Sequence, residues 1–438
     1  MVVNSRRQLL KQIGVASTAG IAGLAGCAGS PGDADDSGGS GDSGSGNDDD
    51  SGSSGGGSSG SDIEELTVGV FAPYTGAFAP WGESVTTGSI LAKQDLEEEF
   101  GISITLKEYD TETNPSTALE RMKRAVTSDG IDFAHGGISS AVCTSMGSWA
   151  SDNGVSYIAQ GASDSITGSA CAEHMFSVYQ SNTMMARSAG PRMANEADSW
   201  YILYSDYVWG QTAQKVISAT LEENGASVVG SDATPFPGDD YTQYINNVQN
   251  SDADAVALLI PGLDARLATE QMMNTGLHEE LTLMYHQFED LVLWGLGKDA
   301  ASAVDIGPTG WANAVEGADE FKQRVVDEGD TDPFARHYMA YTSLDQQVRA
   351  AMRAGSTAGA DITTELEGHQ IEGPVSDIQS GTMYWRECDH QLIQPTHVVS
   401  GLDTGEMKDD PWKEWFGVDE TIAGDELARA CEETGCQL

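Results

Sequence analysis

The feature that most limits the fold is a strand–helix alternation that begins at Leu66 and starts again near residue 200. β-rich runs fall at 66–73, 103–110, 132–137 and 155–161, with helical patterns at 83–100, at 115–127 and between the last two runs. The second series has β-rich runs at 200–206, 226–232, 255–262 and 281–287, and helical patterns at 209–224, 240–250 and 265–275. Parallel strands need a crossover long enough to return the chain, usually a helix. Strands and helices alternating at this spacing therefore predict an α/β fold with parallel sheets covered by helices on both faces. The restart predicts two lobes alike in pattern only, since no residue-level repeat is visible. A chain of 438 residues is also longer than one ordinary core requires.

What ends each run narrows the function. The first is followed by Ala72-Pro73-Tyr74-Thr75-Gly76 and then Trp81-Gly82. The third and fourth end in Gly136-Gly137-Ile138-Ser139-Ser140 and Gln160-Gly161-Ala162-Ser163-Asp164-Ser165. In the second series come Ser205-Asp206-Tyr207-Val208-Trp209-Gly210, Pro261-Gly262-Leu263-Asp264 and His286-Gln287-Phe288-Glu289. Open parallel sheets bind ligands beyond the carboxyl ends of their strands. Small residues there let a ligand approach the backbone, and hydroxyls and helix N-terminal N–H groups hold oxygen atoms. Any one such turn is more often a plain helix cap. Several at one edge of each lobe point to a ligand cleft.

Charge excludes other classes. The chain has 22 Lys and Arg against 68 Asp and Glu, a net charge of −46. Such a surface repels nucleic acid and anionic membranes. Only 9 of the basic residues are Lys. A dense, Lys-poor acidic surface suits concentrated salt, which screens repulsion to about 3 Å at 1 M, so a halophilic setting is expected.

The first residues read as an export signal. Ser5-Arg6-Arg7-Gln8-Leu9-Leu10 resembles a twin-arginine signal, and Ile13 to Leu24 is an apolar stretch too short to span a bilayer. Leu24-Ala25-Gly26-Cys27 resembles a lipobox, which makes Cys27 the expected site of lipid attachment. Residues 28–61 contain 12 Gly, 11 Ser and 7 Asp and cannot bury a core. They are expected to form a disordered tether with a span of about 30–35 Å. Without residues 1–27 the charge becomes −49, 19 basic against 68 acidic residues. The expected location is the extracellular face of the cell membrane, lipid-anchored after twin-arginine export.

Five further cysteines leave at most two bridges and one thiol: Cys143, Cys171, Cys388, Cys431 and Cys436. Export favours disulfides. The expected pairs are Cys143 with Cys171, and Cys388 with Cys436 or Cys431. No spacing suits zinc, and no metal or cofactor is expected.

These motifs, in this order, resemble a type I periplasmic solute-binding protein of the branched-chain amino acid and amide class. The resemblance covers about 64–405. It is carried by "LTVGVFAPYTGAFAPWGESVTTGSILAKQDL", by "YDTETNPSTALERMKRAVTSDGIDFAHGGISSAV", by "YIAQGASDSITG" and "YSDYVWGQ", and by "RECDHQLIQPTHVVSG". It implies two Rossmann-like lobes joined by a three-segment hinge: 62–181 with 310–372, and 182–309 with 373–438. It also implies that Ser140 and Ser163, with Ser139 in the same turn, give hydroxyl bonds to a ligand. Gly161 and Ala162 would offer backbone groups, Trp81 would pack on the ligand, and Trp209 would close from the second lobe. Amino-acid binders of this class place an acidic residue after the last strand of lobe two. Here Gln287 falls there, with Glu289 two positions on and Asp264 in a neighbouring loop. An ammonium in a dry cleft needs a charged partner. Gln287 would suit an amide, urea or carboxylate; Glu289 or Asp264 would restore an amino-acid site.

The sequence carries no Walker A run, HExxH, GxSxG or paired CxxC. Asp389-His390 beside Cys388 and the lone His286 lack the partners catalysis needs, and Glu97-Glu98-Glu99 and Asp239-Asp240 read as solvated faces. The expected function is that of a monomeric, non-enzymatic receptor. It captures a small polar solute, an amino acid, amide or urea, and delivers it to an ABC permease and its ATPase. A sensor of the same fold and a secreted amidohydrolase are the alternatives.

Overall fold

The computed structural model describes residues 63–329, 331–379 and 381–438. The export signal, Cys27 and the tether to residue 61 lie outside these residues.

The first parallel sheet has the order β2-β1-β3-β4-β5. Its strands are β1 (Glu65–Ala72), β2 (Ser103–Asp110), β3 (Phe133–Gly136), β4 (Tyr157–Ala159) and β5 (Met175–Ser177). Helices α1 (Gly82–Phe100), α2 (Pro115–Thr127) and α3 (Ser140–Asp152) carry its first three crossovers. The chain passes through α4 (Asn182–Glu196) into a second parallel sheet of order β7-β6-β8-β9. This sheet is built from β6 (Ser199–Ser205), β7 (Ser227–Thr234), β8 (Ala255–Leu259) and β9 (Thr282–Tyr285). The connecting helices are α5 (Val208–Glu223), α6 (Thr242–Gln249) and α7 (Gly262–Thr275).

The short elements α8 (Leu291–Trp294), α9 (Lys298–Ser302) and β10 (Gly307–Thr309) follow, then the longer helix α10 (Asp319–Gly329). Then α11 (Ala335–Ala354) packs along α1, with α12 (Gly359–Leu366) beside it. The hairpin β11 (Tyr384–Trp385) and β12 (Leu392–Ile393) lies next to β5, where Ser177 pairs with Gln391. Strands β13 (Thr396–Gly401) and β14 (Phe416–Ile422) form an antiparallel sheet with β10, next to β9 through a Met284–Ile306 bridge.

Local chemistry explains the boundaries. The Asn114 side chain accepts the Ser116 and Thr117 N–H groups, and Pro115 takes the first helical position, so α2 starts there. Gly101 ends α1 in the left-handed region at φ 68°. β1 lies between two strands and under helices, so Val68 and Val70 are wholly buried. β7 is an edge strand, and its residues alternate between exposed and half-buried along most of its length. In each sheet the first strand, β1 or β6, has its successors on opposite sides. This reversal opens a crevice at the carboxyl ends.

The disulfides correct the sequence-based pairing. Cys171 bonds Cys436, and Cys388 bonds Cys431, the second of its two expected partners. Cys143 is the leftover thiol, not a partner of Cys171. It lies inside the first lobe on α3, donating to the Gly137 carbonyl. Burial raises its pKa and holds it as a thiol. A chain beginning at Ile63, denatured without reductant, should therefore titrate one thiol, and Cys143→Ser should remove it. A thiol count of one that survives Cys143→Ser contradicts the assignment.

Buried histidines make the fold acid-sensitive. Burial lowers His135, on β3, from 6.5 to about 3. Between those values the unfolded chain binds a proton that the folded chain does not. This histidine's contribution to stability is therefore present at neutral pH and is lost as pH falls through that window. One such proton is worth about 1.4 kcal/mol per pH unit. His135→Gln should flatten the slope of stability against pH between 4 and 6 by about that amount, measured by urea unfolding in high salt. An unchanged slope contradicts the burial argument.

Candidate functional site

The carboxyl ends of both sheets meet at a narrow cleft whose cavity volume is about 30 Å³, little more than one water molecule fills. The first lobe contributes Phe78 from the loop after β1, and Ile138 and Ser140 from the turn after β3. The second contributes Tyr207 and Trp209 after β6, Pro261 and Gly262 after β8, and the run from Tyr285, the last residue of β9, to Glu289. Arg336, at the start of α11, completes the lining.

Aromatic contacts bring the two rims together. Phe78 lies edge-on to Trp81 at 6.2 Å between ring centroids and 5.5 Å from Phe236, which stacks on Tyr207 at 4.4 Å. Gly262 makes this approach possible: it sits at φ 66°, and a Cβ there would lie 2.6 Å from the Phe78 ring. Gln287 also has a left-handed backbone, φ 55°. That costs a non-glycine residue about 1–2 kcal/mol and recurs in ligand loops.

The cleft's centre of charge is an ion pair between elements of the two sheets. The Arg336 Nε donates to Glu289 Oε1 at 2.7 Å, and Nη2 approaches the same oxygen at 2.6 Å. The third arm donates to the Gln160 carbonyl, and the guanidinium lies 4.7 Å from the Tyr179 ring centroid. The two side chains are only 1% and 8% exposed. Removing either partner of such a pair leaves an uncompensated charge.

Several polar groups around this pair have no partner. His286 Nε2 meets Asn182 Oδ1 at 3.0 Å. Asn182 Nδ2 donates to the Trp209 carbonyl and to Thr212 Oγ1, which fixes the amide's orientation. Nε2 is therefore the protonated nitrogen and Nδ1 the free acceptor. Burial lowers the His286 pKa to about 3, so the ring is neutral. Nδ1 has no partner, nor do the Trp209 indole N–H and both ends of the Gln160 amide. Buried groups of this kind normally find one.

The structure brings Ser140, Trp209, Gln287 and Glu289 to the cleft. The other expected residues stand behind it. Ser140 Oγ accepts from the Ser163 N–H at 3.1 Å, while the Ser163 hydroxyl meets Ser165 and Thr212. Trp81 is 1% exposed beneath Phe78. Ser139 precedes α3, and the Ala162 carbonyl accepts from the Asn182 N–H at the start of α4. Gly161 packs so closely that a Cβ would lie 3.0 Å from Ser140 Cα. Asp264 turns into the second lobe, accepting from Gly238 N and the Tyr241 hydroxyl. Arg336 was not anticipated. Its segment has no Gly-rich turn, and helix periodicity carries no sign that one arginine faces a cleft. Among the described residues no cluster of His, Cys, Asp or Glu is arranged to hold a metal ion.

The periplasmic binding protein family model matches residues 65–406, and the chain belongs to this family. The Leu/Ile/Val-binding protein BraC3 of Rhizobium johnstonii is 24% identical over 255 residues, 57% of this chain. That alignment spans 62% of BraC3, less than two thirds of its length. Leu/Ile/Val-binding protein homolog 3 of Brucella melitensis is 22% identical over 354 residues, 78% of this chain and 93% of that protein. A periplasmic binding protein of Burkholderia mallei superposes with a TM-score of 0.79 at 21% identity, over 85% of this chain and 98% of that one. The structural likeness is one of fold: two α/β lobes with parallel central sheets.

Breaking the ion pair should cost more than replacing it. Arg336→Ala is expected to lower stability by about 3–5 kcal/mol, because Glu289 is left buried and alone. Arg336→Met combined with Glu289→Leu should lose much less. Urea unfolding in high salt measures both. Equal losses would contradict burial of the pair.

Proposed function

We propose that this chain is the solute-binding component of an ABC importer, tethered outside the cell, and that it makes or breaks no bond. It captures a small polar solute, an amino acid, amide or urea, between lobes drawn at 62–181 with 310–372 and at 182–309 with 373–438. The observation that carries the reading is the cleft itself. It lies at the carboxyl ends of strands in both sheets and is lined by aromatic rings, with unpartnered polar groups at Trp209 and His286. That mixture suits a small ligand that needs orientation as well as burial. Family membership agrees with it.

Closure supplies the output. A solute held by Ser140 from one side and by Trp209 and Gln287 from the other favours the closed state, to the extent that it binds that state more tightly. The permease then reads the closed surface. The acidic surface fits a high-salt exterior, and Cys27 with residues 28–61 would supply anchor and leash. One acyl chain alone anchors only marginally, so the transporter would share the task of retention. No helix among the described residues is long and apolar enough to cross a membrane.

Mass spectrometry of small molecules released from the denatured protein should find one compound at close to one per chain. Calorimetric titration of stripped protein in high salt should then return its affinity. Trp209→Phe keeps a ring but removes the indole N–H, and should weaken binding about 3- to 10-fold, the range of one hydrogen bond. A released compound that is chemically altered on incubation with fresh protein would make the chain an enzyme and overturn the proposal.

A further inference from the structure

We propose that Arg336 is the residue that recognises the solute, by its carboxylate, and that Glu289 occupies the same fork when no solute is bound. This rests on the solute-binding reading and adds a charge requirement to it.

The two partners are not held alike. Arg336 is fixed from its own side: α11 packs along α1, one arm donates to the Gln160 carbonyl after β4, and the guanidinium lies by Tyr179, which follows β5. These contacts all belong with the first sheet. Glu289 is on the loop after β9 of the second sheet, and both of its ionic contacts are to Arg336 through one oxygen, Oε1. When the lobes separate, Arg336 keeps its anchors and Glu289 leaves with its loop. What remains is a guanidinium with Nε and Nη2 side by side and facing the cleft. That edge matches the two oxygens of a carboxylate, which takes two parallel hydrogen bonds where Glu289 offers one atom.

The surroundings favour the exchange. Tyr207, Trp209, His286 and Gln287 line the same cleft, and the imidazole is neutral, so it adds no competing charge. A buried guanidinium cannot be left alone. Closure without a solute therefore returns Glu289 to it, and closure on a solute requires an anion to replace Glu289. A neutral amide or urea cannot do this, which narrows the ligand class set out above to acids. Glu289, once displaced, sits near the bound molecule and favours an acid that also carries an amine. A plain monocarboxylate would meet its repulsion.

The test is calorimetric titration in high salt with leucine, benzoate and their amides, leucinamide and benzamide. The proteins are wild type, Glu289→Gln, and Arg336→Gln with Glu289→Gln, the double variant because it leaves no unpaired charge in the core. Wild type should bind at least one acid at least 10-fold more tightly than its amide. Glu289→Gln should tighten benzoate by removing its competitor. The double variant should lose the acid-over-amide preference while its unfolding remains cooperative. A double variant that keeps the full preference overturns the role of Arg336 and leaves solute binding standing. So does wild type binding an amide as tightly as the acid. If none of the four compounds binds and denaturation releases no small molecule, the solute-binding reading falls, and this inference with it.

Discussion

A guanidinium and a carboxylate, nearly without water, hold the seam between the two sheets. Taking both charges out of solvent costs several kcal/mol apiece before relaxation. Their attraction repays this only while the geometry holds. Arg336 meets the condition with three donor arms engaged, and Glu289 with one oxygen. The seam is therefore stable only when its charges balance, and on the proposal above a molecule entering it must preserve that balance. The aromatic contacts of Phe78 with Phe236 and of Phe236 with Tyr207 add apolar area but have no such requirement.

The rest of the molecule positions that pair. Parallel strands deliver their carboxyl ends to one edge, and the order reversals at β1 and β6 open a crevice there. α11 is buried along nearly its whole length, from Ala335 to Ala351, which lets a helix rather than a loop present the arginine. Ser163, Thr212, Asn182 and His286 form a chain of polar contacts across the seam, a second inter-lobe link that carries no net charge. The two disulfides lie away from the cleft, tying the C-terminal segment to Cys171 and Cys388.

Much of this was legible in the sequence because local rules were enough. β2 and α2 fall at 103–110 and 115–127, where the strand–helix alternation placed them. The turns after β3, β6, β8 and β9 drew notice because small, hydroxyl and polar residues cluster where strands end, and residues from each line the cleft. Ser140, Trp209, Gln287 and Glu289 were singled out within those turns by the family resemblance, and all four line the cleft. Ser163, Trp81 and Asp264 share the same local signature yet turn to other partners, a matter of side-chain direction that spacing does not encode. Arg336 was hidden for a different reason: it meets Glu289 across 47 positions of sequence. Cys171 and Cys436 are 265 apart, and counting cysteines constrains how many pair, never which. The strands from β10 onward break the strand–helix alternation and follow no simple period.

The central claim is that one solute engages both lobes at once. Backbone hydrogen exchange, compared between stripped protein and protein saturated with its released solute, tests this most directly. Exchange should slow together at 137–140 and at 207–210 and 286–290, the first-lobe and second-lobe walls of the cleft. Slowing confined to one lobe, or absent from both, would contradict the account.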